Sequence, residues 1–437
     1  MKPVSQPTGR SGRGMQIQPT EQSRLRPWHH CVIFLLACAL LVSRRPDAIT
    51  HAQFWAEDGH VWFADAYNFG GWAALFRTQD GYFQFLPRLA AALAVLVPLR
   101  MAPLVLNLIA IAIAALPANL LLSFRSSFWG GLRYRALLAF VYLALPNCWE
   151  MDAIITSSQW LMTLCAFLLL VATIPRGVAG RVFDIAILLL CGLTGPFCAF
   201  LAPVALFLAW KRRESWRSIE AGILAACCLI QACGLLIVDP AGRSHYAALG
   251  ASPALFARLL AAQVYLATLI GGNGLAYYSS SRLFIFLLIV AIGGTILIVL
   301  CFIRSTVEMR LFLAVTALLF AVSLSSPNTG SPKGVTGWEL LTSGGGIRYW
   351  FFPTLAFAWS LLWCFHSRIH SLRIISAPLI LLMCLGIIRD WRHPAFLDLH
   401  FAEHAERFEA ASAGTVVNIP ENPAGWIVRL VKRPAGR

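Results

Sequence analysis

Apolar runs near or at the length of about 20 residues that a helix needs to cross a bilayer recur along this chain. They lie near 29–43, 102–123, 135–147, 159–175, 182–196, 197–211, 218–238, 282–303, 310–326, 349–366 and 373–390. Over 437 residues, 58% are hydrophobic and 13% are charged, where a soluble chain carries about 25% charge. That deficit excludes a soluble enzyme, a fibrous protein and a disordered chain. The fold class it implies is an all-α polytopic membrane protein with about 11 transmembrane helices (range 10–13).

The formal charge of +15 would suggest a nucleic-acid partner if the basic residues were clustered on a soluble face. They sit instead between the apolar runs, as membrane anchors do. Membrane lipids are therefore expected as partners, and nucleic acid is not. Five connections, 124–135, 175–181, 211–217, 304–310 and 366–373, hold thirteen Lys and Arg in 41 residues. The alternating ones, 44–101, 148–158, 239–281 and 327–348, hold nine in 134. By the positive-inside rule the first set is cytoplasmic and the second faces outward.

The basic tail 1–28 leads into the first run and is followed by Arg44-Arg45-Pro46 rather than a small-residue cleavage site. It reads as a cytoplasmic N-terminus before an uncleaved first span. Two apolar segments, Leu86–Pro98 and Pro253–Gly274, are interrupted by Arg88 and by Arg258 and Gln263. Counting the first alone as a span would invert the charge pattern, so both are read as re-entrant or interfacial on the outer side. The transmembrane domain is 29–390, with its first outer loop at 44–101, and 391–437 is a small extracytoplasmic piece. Within that piece, 395–411 reads as an amphipathic helix. Two β-rich runs around Pro-Glu-Asn-Pro-Ala-Gly suggest a hairpin. The twelve cysteines form no C-x-x-C pair and read as apolar fillers.

Chemistry-bearing residues collect in the outward loops. Glu57-Asp58 follows the first span by about fifteen residues, among Trp55, Trp62 and Phe63. A carboxylate at a half-dry interface is more basic than one in water and is suited to take a proton from a hydroxyl. The same loop continues through Gln79-Asp80-Gly81-Tyr82 to Arg88, and its length marks it as functional. The second outer loop supplies Glu150 and Asp152. The last supplies Lys333 and leads through Gly346-Ile347-Arg348-Tyr349 into a span.

An acidic pair in a long loop after the first span, about ten further spans and a small C-terminal piece together resemble the GT-C superfamily of integral-membrane glycosyltransferases. The stretch Phe54–Arg88 and the Gly346–Tyr349 segment look like those of bacterial members. The resemblance implies a sugar donor on a polyprenyl-phosphate carrier and a hydroxyl acceptor on a cell-envelope glycan, lipid or protein. It also implies work on the outer face of a bacterial cytoplasmic (inner) membrane.

Carried onto this chain, the resemblance makes Asp58 the base, with Glu57 as its stand-in, in a single inverting displacement. Polyprenyl phosphate leaves without protonation, so a cation suffices opposite the base. Arg348 has the planar fork for phosphate oxygens, with Arg88 and Lys333 as further donor-phosphate candidates. Glu150, Asp152 and Tyr349 are candidate acceptor-binding residues. A divalent metal held by Glu57, Asp58 and His51 or His60 is conceivable, but the spacing supports no metal geometry. Two other classes fit a polytopic chain: a transporter or flippase of a lipid-linked sugar, and an O-antigen polymerase or ligase. Transport would place charges within the spans and show paired halves; the span interiors are nearly free of Asp, Glu, Lys and Arg, Asp184 lying near a span's cytoplasmic end, and no halves match. The polymerase or ligase class relies on arginines in a late outer loop, whereas the acidic pair here is early.

Overall fold

The computed structural model describes residues 25–239, 248–272, 275, 283–327 and 334–434. The chain is mostly helical, with two short antiparallel hairpins, Thr78–Gln79 with Tyr82–Phe83 and Val416–Glu421 with Trp426–Val431. Among the described residues, seven helices are long and apolar enough to cross a membrane. They are Pro27–Arg44, Leu99–Leu122, Ser215–Val238, Pro253–Ile270, Phe284–Arg304, Val307–Ser325 and His370–Arg389. Large apolar side chains face outward along them, Leu35, Ile285 and Leu381 for example. Water would not tolerate such a surface, and lipid does. This is the architecture of an all-α multi-pass membrane protein.

Four expected runs fold into helices shorter than eighteen residues: Leu132–Leu143, Ile155–Val171, Val178–Gly192 and Cys198–Arg212. The run at 349–366 becomes Ile347–Trp350 followed by Phe351–His366. Ile155–Val171 and Phe351–His366 carry the most heavily buried core, Leu164 to Leu170 and Phe351 to Leu362 being nearly inaccessible. They stand at the centre, and the outward-facing helices surround them.

The connections gather at two ends. At one, Arg125 binds the Thr173 carbonyl and both oxygens of Asp184. There too, Arg217 binds the Leu170 carbonyl and Glu220, and Arg212 pairs with Glu308. At the other, Arg44 caps the Leu143 and Leu145 carbonyls and pairs with Asp152, which also holds His393. Asp390 there accepts from the Asn147 and Gly272 amides. The basic connections thus meet one another, and the long ones meet one another.

The two interrupted segments follow the same logic. Phe85–Ala94 begins where its first amides donate to the Leu193 carbonyl and Thr194 Oγ1, and the chain after it reaches Arg100 beside Glu406. Pro253–Ile270 starts beside Leu249, whose carbonyl accepts from the Trp338 amide, and ends at Gly272 on Asp390. Its length and composition would suffice for a crossing, yet both of its termini contact the end that holds the long loops. The C-terminal segment folds into Phe401–Ala410, an amphipathic helix, and then the Val416–Val431 hairpin.

Candidate functional site

The hairpin fixes the acidic loop in place. The Asn422 carbonyl accepts from the Ala56 amide, and the Asn422 amide donates to the Phe54 carbonyl. Asn422 is itself held by side-chain bonds in both directions with Leu397. Further along, His60 Nδ1 meets the Ile427 carbonyl at 2.7 Å. Asn68 binds the Arg429 carbonyl and the Val431 amide, which occupies a strand edge otherwise open for pairing. Gly59 is required here, because any side chain would collide with the Glu421 carboxylate, Val428 and Phe54. Ala56, directly before the acid pair, is held at φ 46°. A left-handed backbone at a non-glycine residue is a local cost of the kind that collects at functional sites.

The two acids of the pair separate. Asp58 is 2% exposed. Its carboxylate accepts from the Ile155 amide (3.1 Å), the Thr156 amide (2.9 Å) and Thr156 Oγ1 (2.6 Å). Those amides open the Ile155–Val171 helix, where unpaired N–H groups favour a negative partner. Burial pushes the Asp58 carboxyl up to about 7, with the Thr156 and Ile155 bonds opposing and Glu57 adding to the rise. Behind it lies Glu421, 1% exposed. Burial and then the charges of Asp58 and Glu57 push its carboxyl up to about 9. Its oxygens face the backbone at Gly59 and His60 without closing a good hydrogen bond.

Glu57 turns the other way, into a cleft enclosing about 910 Å³, mouth included. Arg348 and Tyr349 line the same cleft, as do Asp80 and Tyr82 from the Thr78–Phe83 hairpin, and Gln159 and Trp160. That hairpin is anchored by Gln231, whose side chain accepts from the Phe83 amide and donates to its carbonyl. Asp80 adopts φ 53° at the turn and accepts from Gln79 Nε2. Thr156, also on the wall, receives the Trp62 indole N–H at 2.8 Å while donating to Asp58. Of the remaining wall, Phe197, Phe200, Leu319 and Val322 are apolar, and Gln79, Gln84, Ser323 and Ser326 are polar. The Arg348 amide donates to Glu150 (3.0 Å), and the guanidinium lies within the field of both Glu150 and Glu57.

Of the expected site residues, Glu57, Arg348 and Tyr349 line one cleft, and Glu150 accepts from the Arg348 amide. The expected order of the acidic pair is reversed in geometry. Asp58, read as the base, is enclosed by three hydrogen bonds, and its stand-in Glu57 is the acid presented to the cleft. Arg88, expected as a phosphate ligand, is 0% exposed. It binds Asp65 at 2.9 Å under the Trp62 ring and does not line the cleft. Asp152, expected to meet acceptor, is buried between Arg44 and His393 and ties the first span to the C-terminal segment. Lys333 lies outside the described residues. Among those residues no group of three His, Cys, Asp or Glu is placed to hold a metal ion, and His60 is turned to the hairpin. Asp80 and Gln159 line the cleft, and Glu421 lies beside the acid pair, without being among the expected site residues. Asp80 alone had a visible cue, its place in a Gln-Asp-Gly turn of the same loop.

No protein-family model matches the chain, and no curated protein matches it.

Proposed function

We propose that the protein is a GT-C-like glycosyltransferase that moves a sugar from a polyprenyl-phosphate carrier to a hydroxyl of a cell-envelope glycan, lipid or protein. The observation that carries this reading is one cleft presenting a carboxylate, Glu57, and a guanidinium, Arg348, against an apolar wall of Phe197, Phe200, Leu319 and Val322. A lipid-linked donor needs all three: a base for the acceptor, a cation for the departing phosphate and a dry surface for the isoprenoid. Glu57 takes the acceptor proton, the acceptor oxygen bonds to the anomeric carbon, and the bond from that carbon to the phosphate oxygen breaks. The electron pair leaves on the phosphate, which Arg348 neutralises, and configuration inverts. Asp58 holds the loop on the start of the Ile155–Val171 helix and so sets where Glu57 points.

The topology follows from the same reading. Eleven helices run between the two ends, with Phe85–Ala94 and Pro253–Ile270 counted as re-entrant or interfacial. The end rich in Arg and Lys is cytoplasmic by the positive-inside rule. The cleft then opens on the outer face of a bacterial cytoplasmic membrane, with the N-terminus inside and the C-terminal hairpin outside. The test uses purified protein in liposomes with a polyprenyl-phosphate sugar and an envelope extract as acceptor source. Glu57→Gln retains carrier binding and loses transfer; Arg348→Gln weakens binding of the polyprenyl phosphate itself. Full transfer by both variants would remove the reading.

A further inference from the structure

Two amide side chains, Gln84 and Gln159, line the cleft that holds Glu57 and Arg348. The backbone sets both of them. Gln84 directly follows the Thr78–Phe83 hairpin and forms an isolated bridge with Thr194. On either side of it, the Gly195 amide donates to the Phe83 carbonyl (2.9 Å) and the Leu86 amide to Thr194 Oγ1 (3.0 Å). Gln159 lies near the start of the Ile155–Val171 helix, where Thr163 Oγ1 donates to its carbonyl. Gly195 adopts φ 73°, and any side chain there would stand 2.5 Å from Gln159 Oε1. The turn that fixes Gln84 therefore closes directly on Gln159. Gln84 Nε2 and Gln159 Oε1 are 3.5 Å apart, at the outer limit of a hydrogen bond. Among the described residues neither side-chain amide makes a shorter one. Trp160 and Tyr349 meet edge to face at 5.8 Å on the same wall.

A side-chain amide carries one carbonyl acceptor and two N–H donors. Two amides side by side offer donors and acceptors together, the complement of adjacent hydroxyls, each of which does both. The carboxylates of Glu57 and Asp80 only accept, and they disfavour another negative charge in the cleft. Aromatic surface suits the C–H face of a sugar ring. We propose that Gln84 and Gln159 bind the vicinal hydroxyls of an uncharged sugar and set the cleft's preference for it over a uronic acid. The inference rests on the transferase reading and names the sugar class of that same cleft. The ring belongs either to the carrier-linked donor or to a glycan acceptor. The chemistry is shared, and different probes separate the two.

The experiment is equilibrium binding to the full chain in detergent. The probes are a prenyl phosphate, its glucosyl, mannosyl, galactosyl and arabinosyl esters, its glucuronosyl ester, and the methyl glycosides of the same sugars. The wild type binds a neutral ester more tightly than the unloaded phosphate and more tightly than the glucuronosyl ester. Gln84→Met and Gln159→Met, close in volume and apolar, each lose roughly three- to tenfold in affinity for that ester. Both bind the unloaded phosphate as the wild type does, which shows that the cleft is intact. The same loss seen with methyl glycosides alone assigns the ring to the acceptor. A glucuronosyl probe that binds as well as the best neutral one, or unchanged affinities in both Met variants, overturns the proposal. The transferase reading survives that result if the unloaded phosphate still binds and Arg348→Gln weakens it. If no prenyl phosphate binds, loaded or unloaded, the transferase reading falls and the inference with it.

Discussion

Glu57 and Asp58 are neighbours in sequence with different surroundings, and each prediction at this scale follows from that difference. A positioned base contributes about 10²- to 10⁴-fold, so under the proposed function Glu57→Gln lowers the transfer rate by that range while the melting temperature is unchanged. An unchanged rate in the liposome assay would place the base elsewhere. Asp58 and Glu421 both hold their protons more tightly in the folded chain than in the unfolded one, where carboxyls titrate at about 4. Their stabilising effect is complete below that pH. It is lost as pH rises through about 7 for Asp58 and about 9 for Glu421. Glu421→Gln keeps the shape of the neutral acid and never ionises. Thermal melting in detergent at pH 5, 7 and 9 therefore falls less steeply for the variant than for the wild type. Parallel curves would show that Glu421 is not protonated when folded.

The elements differ in how far the chain's own pattern announces them. The length of the apolar runs made most of the long helices legible because each is decided by its own composition. The amphipathic Phe401–Ala410 helix and the Val416–Val431 hairpin were equally local and were read correctly in kind. What the hairpin does was not legible, since its partners, Phe54, Ala56, His60 and Asn68, lie more than three hundred residues away in sequence. For the same reason no local pattern could say which acid of the pair would meet the helix start at Ile155 and which the cleft. Arg88 and Asp152 carried the residue type that chemistry needs, but tertiary partners, Asp65 and Arg44, claimed them. Asn422→Ala tests the clamp. It removes both bonds to Leu397, worth about 1 kcal/mol each. Amide exchange across 54–60 speeds up on the order of tenfold to a hundredfold, while exchange in Leu99–Leu122 stays as it was. Unaltered exchange across 54–60 would mean the loop stands without the hairpin.

At the scale of the whole molecule, the difference between the basic end and the end that holds the long loops makes orientation measurable. A membrane-impermeant thiol reagent added to sealed cells labels Arg429→Cys at once and Arg176→Cys only after permeabilisation. The opposite result would put the cleft on the side of soluble nucleotide sugars and withdraw the lipid-carried donor. The bridge between Trp55 and Asn422 also has a consequence for how the protein is made. The ribosome delivers the first loop early, and Glu57 then waits unbraced while nearly all the remaining chain is synthesised. Only when the last few dozen residues have been made does a strand arrive to close over it. On the transferase reading proposed above, nascent or prematurely terminated products would be inserted but idle.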